Sequence, residues 1–296
     1  MNCDMWEPRL RRILAPNPSP MTAEGTNTFI VGRGDVAVID PGPDRPAHLD
    51  AILAALDPGE RIALILVTHS HLDHSGLAPA LAARTGAPTA AFGDYRAGRT
   101  PRMEALAARM TRGSDGVDRT FVPDLALADG QSVTVGAETL TAIHTPGHIS
   151  NHLCFAWTDA LFTGDHVMGW STSIVSPPDG DLAAFMASMR ALRARSDRIL
   201  YPAHGAPVPR ASARIAELVA HREAREAQIL DALTSGPATA DELAAMIYTG
   251  SPATLLPMAA RNVLSHLIDL KARGAVIADP ALLPDATFRL SRAANA

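Results

Sequence analysis

Ile62-Ala63-Leu64-Ile65-Leu66-Val67-Thr68-His69-Ser70-His71-Leu72-Asp73-His74-Ser75-Gly76 is the stretch that decides how this chain is read. Ile62 to Val67 is uninterrupted and apolar, a run whose length suits a buried strand. The residues that follow place His69, His71, Asp73 and His74 in one short loop. Imidazole and carboxylate are the ligands that zinc and related divalent cations prefer. A His-x-His-x-Asp-His pattern arises by chance about once in a thousand chains of this composition, so the run is read as a metal site rather than a polar loop. Ligands at the C-terminal end of a buried strand also sit where α/β proteins build their sites.

The bulk properties leave room for an enzyme and narrow its class. The 296 residues suffice for one large domain and a small one. A hydrophobic content of 47 % supports a core that needs no covalent staple. Cys3 and Cys154 are far apart and imply no disulfide framework, so a reducing, cytoplasmic interior is the expected compartment. Met1 to Leu14 carries Arg9, Arg11 and Arg12 but lacks the apolar run of a signal peptide. No stretch approaches the roughly 18 apolar residues of a membrane span. The net charge of −5 argues against a strongly basic nucleic-acid binder. All basic residues except Lys271 are arginines, which is attributed to codon bias.

Working outward, the first half alternates strands and helices. Thr26 to Val31 and Val36 to Ile39 read as strands joined by Gly32-Arg33-Gly34-Asp35, a hairpin turn. Helices are expected over Pro46–Leu56, Gly76–Arg84, Pro101–Arg112 and Asp181–Arg195. Two further hairpins pair Gln131–Val135 with Thr139–His144, and Leu153–Trp157 with Ala160–Thr163; Arg198–Tyr201 is a last short strand. Hairpin-joined strands interspersed with helices predict two sheets covered by helices rather than one parallel sheet. From Ala211 the pattern turns helical: Ala211–Leu233, Thr239–Ile247 and Pro257–Arg273, then a small hairpin of Val276-Ile277 and Thr287–Leu290. Three helices and a β-wing are the order of a winged helix. The boundary is placed near 217, giving a catalytic domain of residues 1–217 and a winged-helix-like domain of residues 218–296.

Three later segments end strands in metal-ligand chemistry: Thr145-Pro146-Gly147-His148, Phe162-Thr163-Gly164-Asp165 and Tyr201-Pro202-Ala203-His204-Gly205. Five histidines and two aspartates exceed what one tetrahedral zinc can use and suit two cations. With these four motifs in this order, the first 210 or so residues resemble the metallo-β-lactamase superfamily. That resemblance implies an α/β fold, the four-layer αβ/βα sandwich. It also implies that His69, His71 and His148 hold one metal, that Asp73, His74 and His204 hold the other, and that Asp165 bridges them. Asp40, ending the second strand, resembles the family's carboxylate that fixes a ligand imidazole. The metals expected are two divalent ions, zinc by ligand chemistry, with manganese or iron tolerated. Two adjacent cations lower the pKa of a bridging water to about 7, giving hydroxide near neutral pH, and Asp73 is placed to orient that nucleophile and take its proton. His152 and Trp170 are expected at the substrate.

The winged helix, with His221-Arg222-Glu223-Ala224-Arg225-Glu226 leading into it, is similar to the β-lactamase-like-2 group, which is associated with cleavage of single-stranded RNA. Ser70, Leu72 and Ser150-Asn151 depart from that group's pattern inside or beside the metal loops, so the resemblance leaves the substrate open. Two hydrolase readings share all seven ligands: a phosphodiesterase cutting single-stranded RNA, and an acyl hydrolase of thioesters, lactones or related small-molecule esters resembling the glyoxalase-II branch. The first needs basic or aromatic residues at the cleft, for which Tyr95, Arg96, Arg99 and Trp170 are the candidates. From Leu218 onward seven basic residues face eight acidic ones. A duplex reader shows a clearer basic face, so the module equally suits a cover for the cleft or a homodimer contact.

Overall fold

The computed structural model describes residues 3–110, 115–250, 252–283 and 285–291. The first sheet has seven strands in chain order: β1 (Cys3–Glu7), β2 (Leu10–Leu14), β3 (Asn27–Val31), β4 (Asp35–Ile39), β5 (Arg61–Leu66), β6 (Thr89–Ala91) and β7 (Leu125–Ala126). β1 to β4 pair antiparallel; β4 to β7 pair parallel. Parallel neighbours need crossovers, and these are supplied by α1 (Pro46–Ala54), by α2 (Leu72–Ser75) with α3 (Ala78–Thr85), and by the segment holding α4 (Pro101–Ala107). The β3–β4 turn places Gly32 and Gly34 at φ of 100° and 73°, a left-handed backbone open to glycine.

The second sheet comprises β8 (Ser132–Val135), β9 (Glu138–His144), β10 (Leu153–Trp157) and β11 (Ala160–Gly164), then β12 (Ile199–Pro202) and β13 (Val208–Pro209) after helix α5 (Leu182–Arg193). The two sheets pack face to face. Phe29, Ile39 and Leu66 of the first meet Phe155, Phe162 and Tyr201 of the second in one buried cluster, with the Phe29 and Phe162 rings 5.0 Å apart. The outer face of the first sheet (Ile30, Val38, Ile65) is covered by Ile52 of α1 and Leu81 of α3. The outer face of the second (Cys154, Leu161, Leu200) is covered by Phe185 and Met189 of α5 and by Ile215 of α6 (Ala211–Thr234). This is the expected αβ/βα sandwich: a strand apolar on both faces, as β5 is, must be buried on both.

The C-terminal domain adds α7 (Ala240–Ile247), α8 (Leu256–Ala272) and the antiparallel wing β14 (Val276–Asp279) with β15 (Thr287–Leu290). Thr239 caps α7 and Glu242 reaches back to the Thr239 backbone, the reciprocal arrangement that starts a helix. α6 runs unbroken through residue 217; Leu218 and Val219 belong to the core beneath the second sheet, whereas Ile229 and Leu233 belong to the winged-helix core. That second core also takes in Met103 and Leu106 of α4.

Several expected elements change. β1, β2, β6, β7 and β13 add strands that hydropathy patterning passes over. The helix expected over Pro101–Arg112 ends at Ala107, and residues 111–114 lie outside the described set, as do Pro284 and Arg292. Among the described residues, no helix is long and apolar enough to cross a membrane.

Candidate metal centre

The seven ligand candidates lie on one rim of the sandwich, beyond the strand ends, with Asp73 and His74 carried on the short helix α2. β5 delivers His69, His71, Asp73 and His74; β9 leads to His148, β11 to Asp165 and β12 to His204. They fall into two groups whose ligand atoms lie within 4.8 Å of one another: His69, His71, His148 and Asp165, and Asp73, His74 and His204. In the first, His71 Nδ1 is 2.8 Å from His69 Nε2 and 3.0 Å from His148 Nε2. In the second, His204 Nε2 is 3.4 Å from Asp73 and 3.2 Å from Asp165, and His74 Nε2 is 3.5 Å from each. Asp165 Oδ2 also lies 3.6 Å from His148 Nε2, so its carboxylate touches both groups.

The outer hydrogen bonds say what these nitrogens are for. His148 Nδ1 donates to the Ile174 carbonyl at 2.6 Å, and His204 Nδ1 to the Gly25 carbonyl at 3.1 Å. His74 Nδ1 donates to Asp40 at 2.9 Å. Thr68 Oγ1 donates to Asp40 at 2.8 Å and is left to accept from His69 Nδ1 at 3.0 Å. With each outer nitrogen protonated, each Nε2 turned inward carries a bare lone pair. Several lone pairs converging within about 3 Å repel unless a positive charge lies between them, and His74 Nε2 and Asp165 Oδ1 are buried without a hydrogen-bond partner. This donor set fits divalent cations.

The protonation tendencies agree. Burial, together with the neighbouring imidazoles, holds His69 well below the ordinary value and His71 down to about 3. Burial also opposes charge on His74 and His204. Yet Asp73, Asp165 and Asp40 hold His74 well above its ordinary value, and Asp165 with Asp73 lifts His204 to about 9. Without metal, protons on these two histidines supply the positive charge that the two aspartates demand.

Asp40 lies at the end of β4, 1 % exposed, in the left-handed region at φ 50°. It accepts from the Thr68 amide at 2.7 Å as well as from the Thr68 hydroxyl and His74. Thr68, which sequence reasoning did not single out, thus couples Asp40 to His69. His152, expected at the substrate, is fully buried instead. Its Nδ1 meets Thr145 Oγ1 at 2.8 Å, its Nε2 accepts from the Asp165 amide at 3.2 Å, and its ring stacks behind His69. Trp170 is 44 % exposed and lies against Gly205, where a Cβ would stand 2.7 Å from its Cδ1; it walls the rim beside His204. Ser70 and Asn151, expected to border the cleft, are buried and bond to each other, tying two metal loops together, whereas Leu72 is exposed. A cleft of about 530 Å³ opens beside Asp73 between Pro18, Ser19, Thr22, Pro43 and Arg45.

Comparison with known proteins agrees with this geometry. Residues 21–204 match the family described as the metallo-beta-lactamase superfamily, and residues 239–281 match the beta-lactamase associated winged helix domain. The chain is 33 % identical over 270 residues to an atrochrysone carboxyl ACP thioesterase of Aspergillus fumigatus, covering 84 % of this chain and 76 % of that protein. It is 33 % identical over 236 residues to the protein of the same description, nsrC, from Aspergillus novofumigatus, covering 78 % and 65 %. The chain therefore spans about two thirds to three quarters of the length of these relatives. A metallo-beta-lactamase family protein from Thermus thermophilus superimposes with a TM-score of 0.76 at 25 % identity, over 96 % of this chain and 99 % of the other. The chain belongs to the metallo-β-lactamase superfamily and is a hydrolase with that superfamily's winged-helix domain at its C-terminus.

Proposed function

We propose that this hydrolase cleaves acyl thioesters with a pair of divalent cations, zinc by ligand preference. The observation that carries the choice of substrate is the fate of the residues an RNA reading needs. Arg99 is engaged by Asp179 at 2.6 Å and by Glu104, and Arg96 by Glu104. Helix α8, the third of the winged helix, is not a free reading face. It buries Val263, Leu264, Ser265, His266, Leu267, Ile268 and Leu270, and Asn262 accepts from the Val175 amide of the catalytic domain. A nucleic-acid channel wants unpaired cations and stacking platforms, so these contacts favour a small acyl substrate over single-stranded RNA. The thioesterase names of the two Aspergillus relatives support the same choice.

His69 Nε2, His71 Nδ1 and His148 Nε2 would hold one cation; Asp73, His74 and His204 would hold the other, with Asp165 reaching both. Bound there, such ions supply Lewis acidity toward a carbonyl and toward water near neutral pH. The chain's own residues do the rest. Asp73, with its side chain 29 % exposed against 13 % for Asp165, is the ligand open to the cleft, and its carboxylate can orient a water and take its proton. Asp40 and Thr68 hold His74 and His69 in the tautomer that faces inward. Leu72 and Trp170 give the mouth apolar surface for an acyl chain, and Arg45 offers a cation to an anionic end of the substrate. All seven ligands come from one chain, so no second copy is needed to complete the site. Cys3 and Cys154 are free thiols, in keeping with a cytoplasmic setting.

The test is thiol release from acyl-coenzyme A and acyl-N-acetylcysteamine by zinc-loaded protein, beside end-labelled single-stranded RNA. Thiol release that disappears with Asp73→Ala is expected. RNA cleavage without thiol release, from protein holding two zinc ions, would overturn the thioester reading.

A further inference from the structure

We propose that the winged-helix domain sets the geometry of one half of the metal centre, with Asn262 and Arg222 acting as positioning residues for His148 and Asp165. Residues 171–176 lie between the strand end carrying Asp165 and helix α5, and they have no helix or strand pairing of their own. An irregular buried segment must find partners for its backbone groups elsewhere. Here the partners come from α6 and α8. The Val175 amide donates to Asn262 Oδ1 at 3.1 Å, Arg222 Nη1 donates to that same oxygen at 3.1 Å, and Arg222 Nη2 donates to the Ser173 carbonyl. Arg261 Nη1 donates to Ser176 Oγ at 3.1 Å.

The inner side of this segment touches the ligands. Ile174, between the two anchored residues, presents the carbonyl that accepts from His148 Nδ1 at 2.6 Å. Ser173 Oγ lies against the carbonyls of Asp165 and His166, which share its one proton. A continuous path therefore runs from Asn262 through the 173–175 backbone to His148 and Asp165. Arg222 is buried, and the acceptors it reaches here are an amide oxygen and a carbonyl rather than a carboxylate. A buried guanidinium is costly unless its donors are met, so it holds α6 and the segment at a fixed separation. The chain between this segment and α5 is clamped as well, by Arg99 on Asp179 at 2.6 Å and Arg102 on Asp181 at 3.1 Å, from either side of the start of α4, a helix whose Met103 and Leu106 sit in the winged-helix core.

The other half of the centre is held differently. His74 is fixed by Asp40 at the end of β4, and His204 by the Gly25 carbonyl, both within the N-terminal part of the catalytic domain. That asymmetry makes the inference testable by site. The inference rests on the two-metal reading of the centre and is independent of the substrate.

The experiment is cobalt titration of metal-free protein followed by ligand-field absorption, which reports the two sites without any turnover. Outer partners of metal ligands typically change affinity 10- to 100-fold. Acting one residue further out, Asn262→Leu is expected to weaken the cobalt site at His69, His71 and His148 about tenfold and alter its bands, with a smaller effect on the other site, which it reaches through Asp165 alone. Asn262→Asp keeps an acceptor for both donors and is expected to restore the site to within about twofold. Arg261→Met, at a half-buried position, is the milder second variant should Asn262→Leu fail to fold, and it must weaken the same site selectively. Unchanged binding, or equal weakening of both sites, would overturn the inference. A wild-type protein that takes up fewer than two cobalt ions would instead overturn the two-metal reading, and the inference with it.

Discussion

Asp40→Asn isolates the electrostatic work of one buried carboxylate. Asp40 sits at φ 50°, a conformation that asparagine tolerates better than almost any other side chain, so the backbone should not move. The carboxylate accepts three bonds: Thr68 N at 2.7 Å, Thr68 Oγ1 at 2.8 Å and His74 Nδ1 at 2.9 Å. An amide has one acceptor oxygen and can keep the Thr68 amide bond, but its NH₂ then faces two donors. The Thr68 hydroxyl can rotate; His74 can escape only by moving its proton to Nε2, the nitrogen that faces the metal. A charge-assisted bond is worth about 1.5–3 kcal/mol, and 1.4 kcal/mol is a factor of ten in affinity. The ion held by Asp73, His74 and His204 should therefore bind about 100-fold more weakly, at the upper end of what outer partners contribute. The ion at His69, reached only through Thr68, should weaken about tenfold or less. Competition against a chromophoric zinc chelator reads both affinities, and ¹⁵N shifts of His74 read the tautomer. Two ions bound with wild-type affinity, or a His74 still protonated at Nδ1, would refute the reasoning.

Removing Asp165, the carboxylate near His74, His148 and His204, should cut both groups at once. Asp165→Ala is expected to bind at most one zinc by elemental analysis and to lose about 10³-fold or more in turnover, on the order of a lost electrostatic contact at the reacting atoms. Metal-free protein should be most stable near pH 6.5. His204, raised to about 9, contributes stability that is complete below its unfolded value and lost as pH rises toward 9, and His74, raised in the same direction by its aspartates, adds to the loss on the alkaline side. The buried histidines with lowered values, such as His71 and His166, must instead be kept neutral, so stability also falls below about 6.5. Chemical denaturation across pH reads the optimum, and a midpoint that climbs from pH 6.5 to 9 would contradict the assigned protons. Phe288→Ala, in the fully buried centre of the winged-helix core, should cost about 3–5 kcal/mol, read as a shift in the denaturant midpoint.

How much of this was legible beforehand follows from where the information lies. Ligand side chains advertise themselves, since histidines and aspartates at the ends of apolar strands are rare enough to stand out, and the structure brings those seven together. β1 and β2 gave no such signal. β2 reads Leu-Arg-Arg-Ile-Leu, and its second residue, Arg11, is 3 % exposed because its guanidinium reaches Glu60 at 2.7 Å and the Ala55 carbonyl at 2.8 Å. A buried arginine in a strand breaks the alternation that patterning depends on. β6 is Thr-Ala-Ala, too short and too small-chained to register. His152 is the opposite case: its spacing of four residues from His148 suggests a side chain open to the cleft, but the turn carries it beneath Asp165.

The partners that orient the ligands were the least legible of all, and this has a physical cause. His148 and His204 are held by the carbonyls of Ile174 and Gly25, and every residue has a carbonyl, so no letter in the sequence marks these two. What determines where they lie is the placement of irregular backbone by side chains far along the chain, Asn262 and Arg222 for Ile174. The same fact reverses the usual meaning of a winged helix. Its order of elements reads as a nucleic-acid module, but α8 is buried along most of its length, largely in the winged-helix core itself, and Asn262 accepts from the Val175 amide of the catalytic domain. A helix buried along most of its length cannot enter a groove. It can fix the position of a loop that has no ladder of its own, and the ligand touching that loop inherits its precision.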